Sequence, residues 1–305
     1  MKFEIKNVSK SFGDKKVLED LNFHCESGQA IALLGKNGAG KTTLFRCILD
    51  IYKEDNGEFL LDGENLRKKK IKIGYLPEER GLYLKRKVYD QLLYFAKLKG
   101  LNKNTADKMI DLLLERLDIT IYKNEVLDNL SKGNKQKVQL AVSVIDNPDI
   151  VIFDEPFSGL DPVSSMSLKN LILDFVKNGK IVIFSSHEMG YVEEFCKDIA
   201  ILNNGKIETF GKLEDIKNSY PSNKVKISFK ESNNLENIVT DEDLKSLCSD
   251  IKKDEDEFIF ILKEENLVNE LQKALFNKEY YYNRFEVIRP TLEEIFVMKV
   301  GGEDE

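Results

Sequence analysis

Three short apolar runs punctuate the first two thirds of the chain: Ala30 to Leu34, Ile150 to Phe153 and Ile181 to Phe184. They are rich in β-branched side chains, and each stops at a polar loop. Continuous runs of this length predict strands buried on both faces of a largely parallel sheet. Between about Val88 and Leu130 the period changes. Met109, Ile110, Leu113, Leu114 and Leu117 fall on one helical stripe, which predicts a helical insert at about 85–135 inside an α/β layer fold. After Gly211 the texture shifts once more. Val225, Ile227 and Phe229 alternate with polar residues as a strand does. Phe258 to Leu262 and Phe285 to Ile288 read as further strands, with a helix from Asn266 to Leu275 between them. Thr291 and Glu294, directly after Pro290, have capping-box spacing and predict a last helix from Thr291 to Val297. The expected organisation is an α/β domain over 1–215 followed by a small α+β domain over 216–305, joined near residues 216–222.

Charge sharpens that division. From Gly211 onward, 14 Lys and Arg stand against 22 Asp and Glu, whereas the residues before it carry 32 against 31. A near-neutral body therefore precedes an acidic C-terminal part. The whole chain of 305 residues carries a formal net charge of -7, so nucleic acid is not an expected partner. No stretch approaches the ~20 apolar residues of a spanning helix, and Met1 to Ile5 lacks the apolar core of a secretory signal. The expectation is a cytoplasmic chain that meets a membrane only as a peripheral partner. Cys25, Cys47, Cys196 and Cys248 show no metal-ligand spacing and read as buried free thiols. The basic runs Arg67 to Lys70 and Lys85 to Lys87 read first as solvated faces, with lipid headgroups or a partner as the alternative.

The candidate chemistry begins where the first apolar run ends. Gly35-Lys36-Asn37-Gly38-Ala39-Gly40-Lys41-Thr42 matches G-x-x-x-x-G-K-[ST], with a strand before it and an amphipathic helix, Thr43 to Leu49, after it. Glycines let backbone N–H groups turn inward around phosphates, and the helix N-terminus adds its dipole. Lys41 is placed to reach the β- and γ-phosphates, and the Thr42 hydroxyl to ligate Mg²⁺. The second run leads into Asp154-Glu155. Asp154 suits the second protein contact to Mg²⁺, and Glu155 beside it suits a base that orients and deprotonates water. Leu130-Ser131-Lys132-Gly133-Asn134, Ser158-Gly159-Leu160-Asp161 and His187 complete the constellation.

From about Lys2 to Leu213 these residues together resemble the ATP-binding subunits of ATP-binding cassette (ABC) transporters, with five motifs in the family's order. The resemblance implies a P-loop ATPase cassette with a helical subdomain, binding ATP and Mg²⁺. It makes Gly35 to Thr43 the Walker A loop, Leu130 to Asn134 the signature, Ile150 to Glu155 the Walker B strand, Ser158 to Asp161 the D-loop and His187 the switch histidine. In the family Ser131 and Gly133 would contact the γ-phosphate across a dimer of cassettes, homodimeric or heterodimeric. Phe12 matches the aromatic that stacks on adenine, with a packing aromatic as the alternative. The chain departs from the pattern at Lys132, where a glycine is usual, at Asn134, where glutamine is usual, and at Glu78, where the metal-binding Q-loop glutamine is expected. Arg80 is a candidate basic neighbour for Glu78.

Residues 74–83 and 289–296 resemble an exporter-type subset in which a small accessory domain follows the ATPase and the cargoes include sodium ions, drugs or antibiotics. The implied role is ATP hydrolysis driving a separate integral-membrane permease, from a position on the inner face of the cell membrane. The competing class is a soluble cassette protein acting on ribosomes or DNA. Against it stand the single P-loop and the short gap between Thr42 and Leu130. A third reading, an interaction module with a dead ATPase, is opposed by Lys41, Asp154, Glu155 and His187 occurring together.

Overall fold

A computed structural model of the chain describes residues 1–79, 81–230, 238–254 and 257–301. Arg80, proposed from sequence as a neighbour of Glu78, lies outside the described residues. The chain divides into two compact units, Met1–Leu213 with the last residues from Lys299, and Glu214–Met298.

The first unit opens with two long strands, β1 (Lys2–Phe12) and β2 (Lys15–Glu26). Then β3 (Gln29–Leu34) enters the glycine loop and α1 (Lys41–Ile48) leaves it. β4 (Asn56–Leu61), β5 (Glu64–Asn65) and β6 (Ile73–Leu76) follow. The helical insert comprises α2 (Val88–Leu98) and α3 (Lys103–Arg116), and α4 (Lys132–Val144) leads out of it. The core then resumes with β7 (Ile150–Phe153), α5 (Pro162–Lys177), β8 (Ile181–Ser186), α6 (Met189–Phe195), β9 (Asp198–Asn203) and β10 (Lys206–Lys212).

Two sheets result, with strand orders β2-β1-β4-β5 and β10-β9-β3-β8-β7-β6. In the second, β9, β3, β8, β7 and β6 pair in parallel, and β10 closes the edge antiparallel. The three apolar runs are β3, β7 and β8. Every residue of β7 and β8 is buried, as burial on both faces requires. β8 lies between β3 and β7, so the loop after β3 and the carboxylates after β7 are separated by one intervening strand. The antiparallel sheet has no counterpart in the hydrophobic reading, because register shifts in β1 after Ile5 break its alternation. One core cluster joins Phe3, Ile5 and Phe59 of that sheet to Ile31, Leu33, Ile152 and Ile183 of the other and to Leu44 and Phe45 of α1.

Arg67 ties the segment after β5 to the segment before β4. Its guanidinium donates to both Glu54 oxygens, at 2.6 and 2.5 Å, and its Nε donates to Asp50 at 2.6 Å. So Arg67, assigned from sequence to a solvated basic run, is a fork clamp of the kind planar guanidinium favours. That hydrogen bonding holds the Glu54 carboxyl below the usual carboxylate range. A lowered folded-state pKa stabilises the fold above the ordinary Glu value of about 4.3 and is lost as pH falls through the folded value. The margin of wild type over Glu54→Gln in urea midpoint is therefore expected to be largest at pH 7 and to shrink below about pH 4. An unchanged margin at pH 3 would remove the clamp from the stability account.

At the division between the units, α7 (Leu213–Asn218) begins. The second unit holds β11 (Lys224–Phe229), α8 (Glu242–Leu247), β12 (Cys248–Asp254), β13 (Glu257–Leu262), α9 (Val268–Asn277) and β14 (Tyr282–Ile288). α10 (Leu292–Val300) follows, and the division falls within it after Met298. The strands of this second unit form an antiparallel sheet in the order β12-β13-β11-β14. Val225, Ile227, Phe229, Phe258, Phe260 and Leu262 pack in one cluster with Leu271 and Leu275 of α9. The capping box is formed. The Glu294 N–H donates to Thr291 Oγ1 at 3.2 Å, and the Thr291 N–H donates to Glu294 Oε2 at 3.0 Å. β12, mostly polar and charged, is an edge strand that the hydrophobic pattern does not announce.

Candidate active site

The loop between β3 and α1 is built by backbone constraints before any side chain reaches it. Gly40 caps α1 at φ 113°, and Gly38 sits at φ 84°, both in the left-handed region that glycine tolerates. α1 consequently starts at Lys41, two residues earlier than the periodicity places it. A Cβ on Gly35 would lie 2.5 Å from the Leu202 carbonyl oxygen of β9, so only glycine lets the loop pack on the sheet. Lys41 folds back over its own loop, donating to the carbonyls of Gly35 at 2.6 Å and Lys36 at 3.3 Å. Its buried ammonium is 3.6 Å from Glu155 Oε1.

The carboxylates come from the end of β7. Asp154 Oδ2 accepts from the Thr42 hydroxyl at 2.7 Å, and Asp154 Oδ1 accepts from Ser185 Oγ at 2.8 Å. The same Ser185 oxygen accepts the Glu155 N–H at 2.7 Å. One buried serine at the end of β8 therefore joins the Asp154 carboxylate to the Glu155 backbone across the β7–β8 pair. Sequence reasoning placed Ser185 only as a neighbour of His187. Its signal was a polar residue ending a fully apolar run. Burial, and then the charge of Asp154, push the nearby Tyr75 phenol up to about 12.

Glu155 carries positive φ, 49°. A non-glycine residue in that region costs energy that the surrounding structure must impose. The conformation aims its carboxylate between two groups. Oε2 lies 2.7 Å from His187 Nδ1, while Oε1 is buried, faces Lys41 and has no hydrogen-bond partner among the described residues. An unpartnered buried carboxylate oxygen beside a phosphate loop is an acceptor left open for a water or ligand proton.

Asn37, Gly38, Gly40, Lys41, Thr42, Thr43, Glu78, Asp154 and Glu155 surround a cavity of about 370 Å³, with Val17 on its wall. Gly35 and Ala39 hold its backbone, Ala39 through its N–H on the Lys36 carbonyl at 3.1 Å. The donor set fits a nucleotide: an inward-turned loop, a buried ammonium and a helix N-terminus. It also fits Mg²⁺, which takes hard oxygens, one or two from protein and the rest from phosphates and water. Thr42 and Asp154, joined by a hydrogen bond, offer such oxygens, and Glu78 lines the same cavity.

Four sequence-assigned residues stand apart from this cavity. Phe12 is exposed, packs edge-on against Tyr52 with ring centroids 5.3 Å apart, and does not line the cavity. Ser131 caps α4, accepting the Asn134 N–H at 3.2 Å. Asp161 caps α5 through Ser164, whose hydroxyl and N–H hold its carboxyl below the usual range. Gly133 lies beside it: a Cβ there would be 3.4 Å from Asp161 Oδ2. Ser131, Gly133 and Asp161 thus gather at the N-terminal ends of α4 and α5, and none of them lines the phosphate-loop cavity. Two residues of α4 carry no role in the sequence reading. Gln136 donates to the Pro156 carbonyl at 2.7 Å, and Gln139 donates to the Glu79 carbonyl at 2.9 Å and the Pro77 carbonyl at 3.3 Å.

Among the described residues no helix is long and apolar enough to cross a membrane. Residues 18–158 match the family described as ABC transporter, and residues 211–300 match the C-terminal domain of DrrA1-3-like ATP-binding proteins. The uncharacterized ABC transporter ATP-binding protein YhaQ of Bacillus subtilis (strain 168) is 41% identical over 304 residues, covering 98% of each chain. MJ1023 of Methanocaldococcus jannaschii, another ABC transporter ATP-binding protein, is 47% identical over 215 residues, 70% of this chain and 79% of that one. A solved structure titled as the ATP binding subunit of an ABC transporter superposes with a TM-score of 0.66 at 29% identity, over 72% of this chain and 92% of the other. A phosphate loop facing a paired Asp-Glu, within a chain this similar along its whole length, places the protein in the ABC transporter ATP-binding family, as an ATP-binding, ATP-hydrolysing subunit.

Proposed function

We propose that this subunit works as one of a pair of cassettes with ATP and Mg²⁺ between them, and drives a separate integral-membrane permease of the exporter type. The carrying observation is the split of the assigned residues. Lys41, Thr42, Asp154 and Glu155 line one cavity, while Ser131 and Gly133 lie at the start of α4 and outside it. A γ-phosphate held by both sets needs a second copy to bring its α4 to the first copy's loop, which is a self-complementary two-fold arrangement. Within each site Lys41 binds the β- and γ-phosphates and Glu155 takes the proton of the attacking water. His187, at hydrogen-bond distance from Glu155, holds that carboxylate in place. Mg²⁺, held by Thr42 and Asp154 with Glu78 beside them, neutralises phosphate charge when bound. Nucleotide that favours the closed pair over the open one shifts the population, and hydrolysis reverses it.

The exporter assignment is supported by the match of residues 211–300 to the DrrA1-3-like C-terminal domain. On that reading the subunit sits on the inner face of the cell membrane, with sodium ions, drugs or antibiotics as candidate cargoes. Affinity-tagged chain extracted from its native membrane is expected to retain a multi-span protein whose presence stimulates ATP hydrolysis, and recovery of the chain without one would count against the permease role. Mixing Ser131→Arg chains with Lys41→Ala chains is expected to restore ATPase activity to about a quarter of wild type, because half of a random mixture is heterodimer and each heterodimer keeps one intact composite site of two. Activity no higher than either variant alone would rule out the shared site.

A further inference from the structure

Two of the departures from the family pattern, Glu78 and Lys132, line one cavity. It measures about 330 Å³ and shares Glu78, Asp154 and Glu155 with the nucleotide cavity, while Lys132, Gln136, Gln139 and Ser158 form its other side. Its floor is α4. Gln139 grips the carbonyls on either side of Glu78, and Gln136 grips the loop that follows Glu155. Lys132, the first residue of the same helix, reaches back over that loop. A Cβ on Gly159, which has φ +69°, would lie 2.9 Å from the Lys132 ammonium, so glycine there leaves the ammonium its place.

The charge balance of this cavity is uneven. Asp154 is engaged by Thr42 and Ser185, and Glu155 by His187 and Lys41. Among the described residues neither Glu78 nor Lys132 has an ion pair or a side-chain hydrogen bond. Among the described residues Glu78 is thus an anion without a partner on this cavity, and Lys132 a cation without one. Lys132 also stands at a helix N-terminus, where the macrodipole disfavours positive charge, so local helix energetics do not explain its presence.

We propose that Lys132 is a positioning residue that offsets the charge of Glu78 across this cavity, so that an acidic residue is tolerated beside the phosphates. A glutamine at position 78 would need no such cation, and a glycine at position 132 would supply none. The two departures are one compensated exchange. The effect is electrostatic and partly solvent-screened, since both side chains are exposed, so it is modest and sensitive to salt.

The test is a double-mutant cycle read by the affinity for a fluorescent ATP analogue in EDTA, where no divalent ion offsets Glu78. Lys132→Ala is expected to weaken binding about threefold, Lys132→Arg to preserve it, and Lys132→Ala combined with Glu78→Gln to bind as Glu78→Gln alone. The threefold loss is expected to fade in 1 M NaCl. Lys132→Gln, with a matched thermal melt, separates loss of charge from loss of fold. If Lys132→Ala costs the same factor with and without Glu78→Gln, or if Lys132→Arg behaves as Lys132→Ala does, the pairing is overturned. The proposal rests on ATP binding at this loop and not on the permease reading. Unchanged affinity in Lys41→Ala would overturn the loop assignment and the pair together, whereas a missing permease would touch neither.

Discussion

Glu155→Gln is expected to bind ATP as wild type does and to hydrolyse it about 10²–10⁴-fold more slowly, the usual cost of removing a general base. The reasoning starts from geometry. The Glu155 backbone is held at φ 49° by a hydrogen bond from its N–H to Ser185, and its two oxygens face Lys41 and His187. The amide has the same shape, so the strained turn and the cavity survive. What it loses is the capacity to accept a proton from water. The Lys41 ammonium also donates to the Gly35 and Lys36 carbonyls, so it remains placed when the opposing charge is removed. Equilibrium binding of a fluorescent nucleotide together with single-turnover hydrolysis separates the two effects. Wild-type turnover would remove Glu155 from the base role, and lost binding would show that its charge orders the loop.

Lys41→Ala is expected to fail earlier, at binding, with ATP affinity reduced about 10–100-fold, the range for losing a hydrogen bond to a charged group in a buried site. Two losses combine here. The phosphates lose their buried cation, and Glu155 Oε1, which has no hydrogen-bond partner among the described residues, loses the positive charge 3.6 Å away. Lys41→Arg is not a neutral control, because the planar guanidinium does not fit the space in which the ammonium meets the Gly35 and Lys36 carbonyls. Isothermal titration of both variants decides the matter. ATP affinity within twofold of wild type in Lys41→Ala would contradict the phosphate role.

Three strands of the parallel sheet were legible because they are apolar on both faces, whereas the half-exposed β6 and β10, and β9, were not predicted. β3, β7 and β8 stand out from any polar surroundings, and the loops that follow them carry the residues that matter. The phosphate loop was legible for a different reason: glycine at Gly38 and Gly40 answers a backbone demand that few other residues meet. The antiparallel sheet was not legible. β1 is half-buried with register shifts, so its side chains follow no strict period. β12 is polar because it lies at an edge, where one side of the strand has no neighbour to bury it.

At the site, the residue types and their order could be read directly, since each answers a local chemical requirement: an amine for phosphate, a hydroxyl and a carboxylate for a hard cation, a carboxylate for a proton. Which of them meet could not. Ser185 joins the Asp154 carboxylate to the Glu155 backbone N–H only because β8 pairs with β7, a strand order that no hydrophobic pattern encodes. Phe12 has the composition of an adenine platform, yet in this structure it lies against Tyr52 outside the cavity. Arg67 reads as one basic residue in a charge run and is instead a clamp on Glu54, because the partner is distant in sequence and near only after folding. Local sequence thus determined three strands of the central sheet, the phosphate loop and the inventory of chemical groups, through burial, backbone dihedrals and side-chain chemistry. Tertiary structure alone decided the pairings among those groups, because strand order and helix packing bring together residues that share no period and no neighbourhood along the chain.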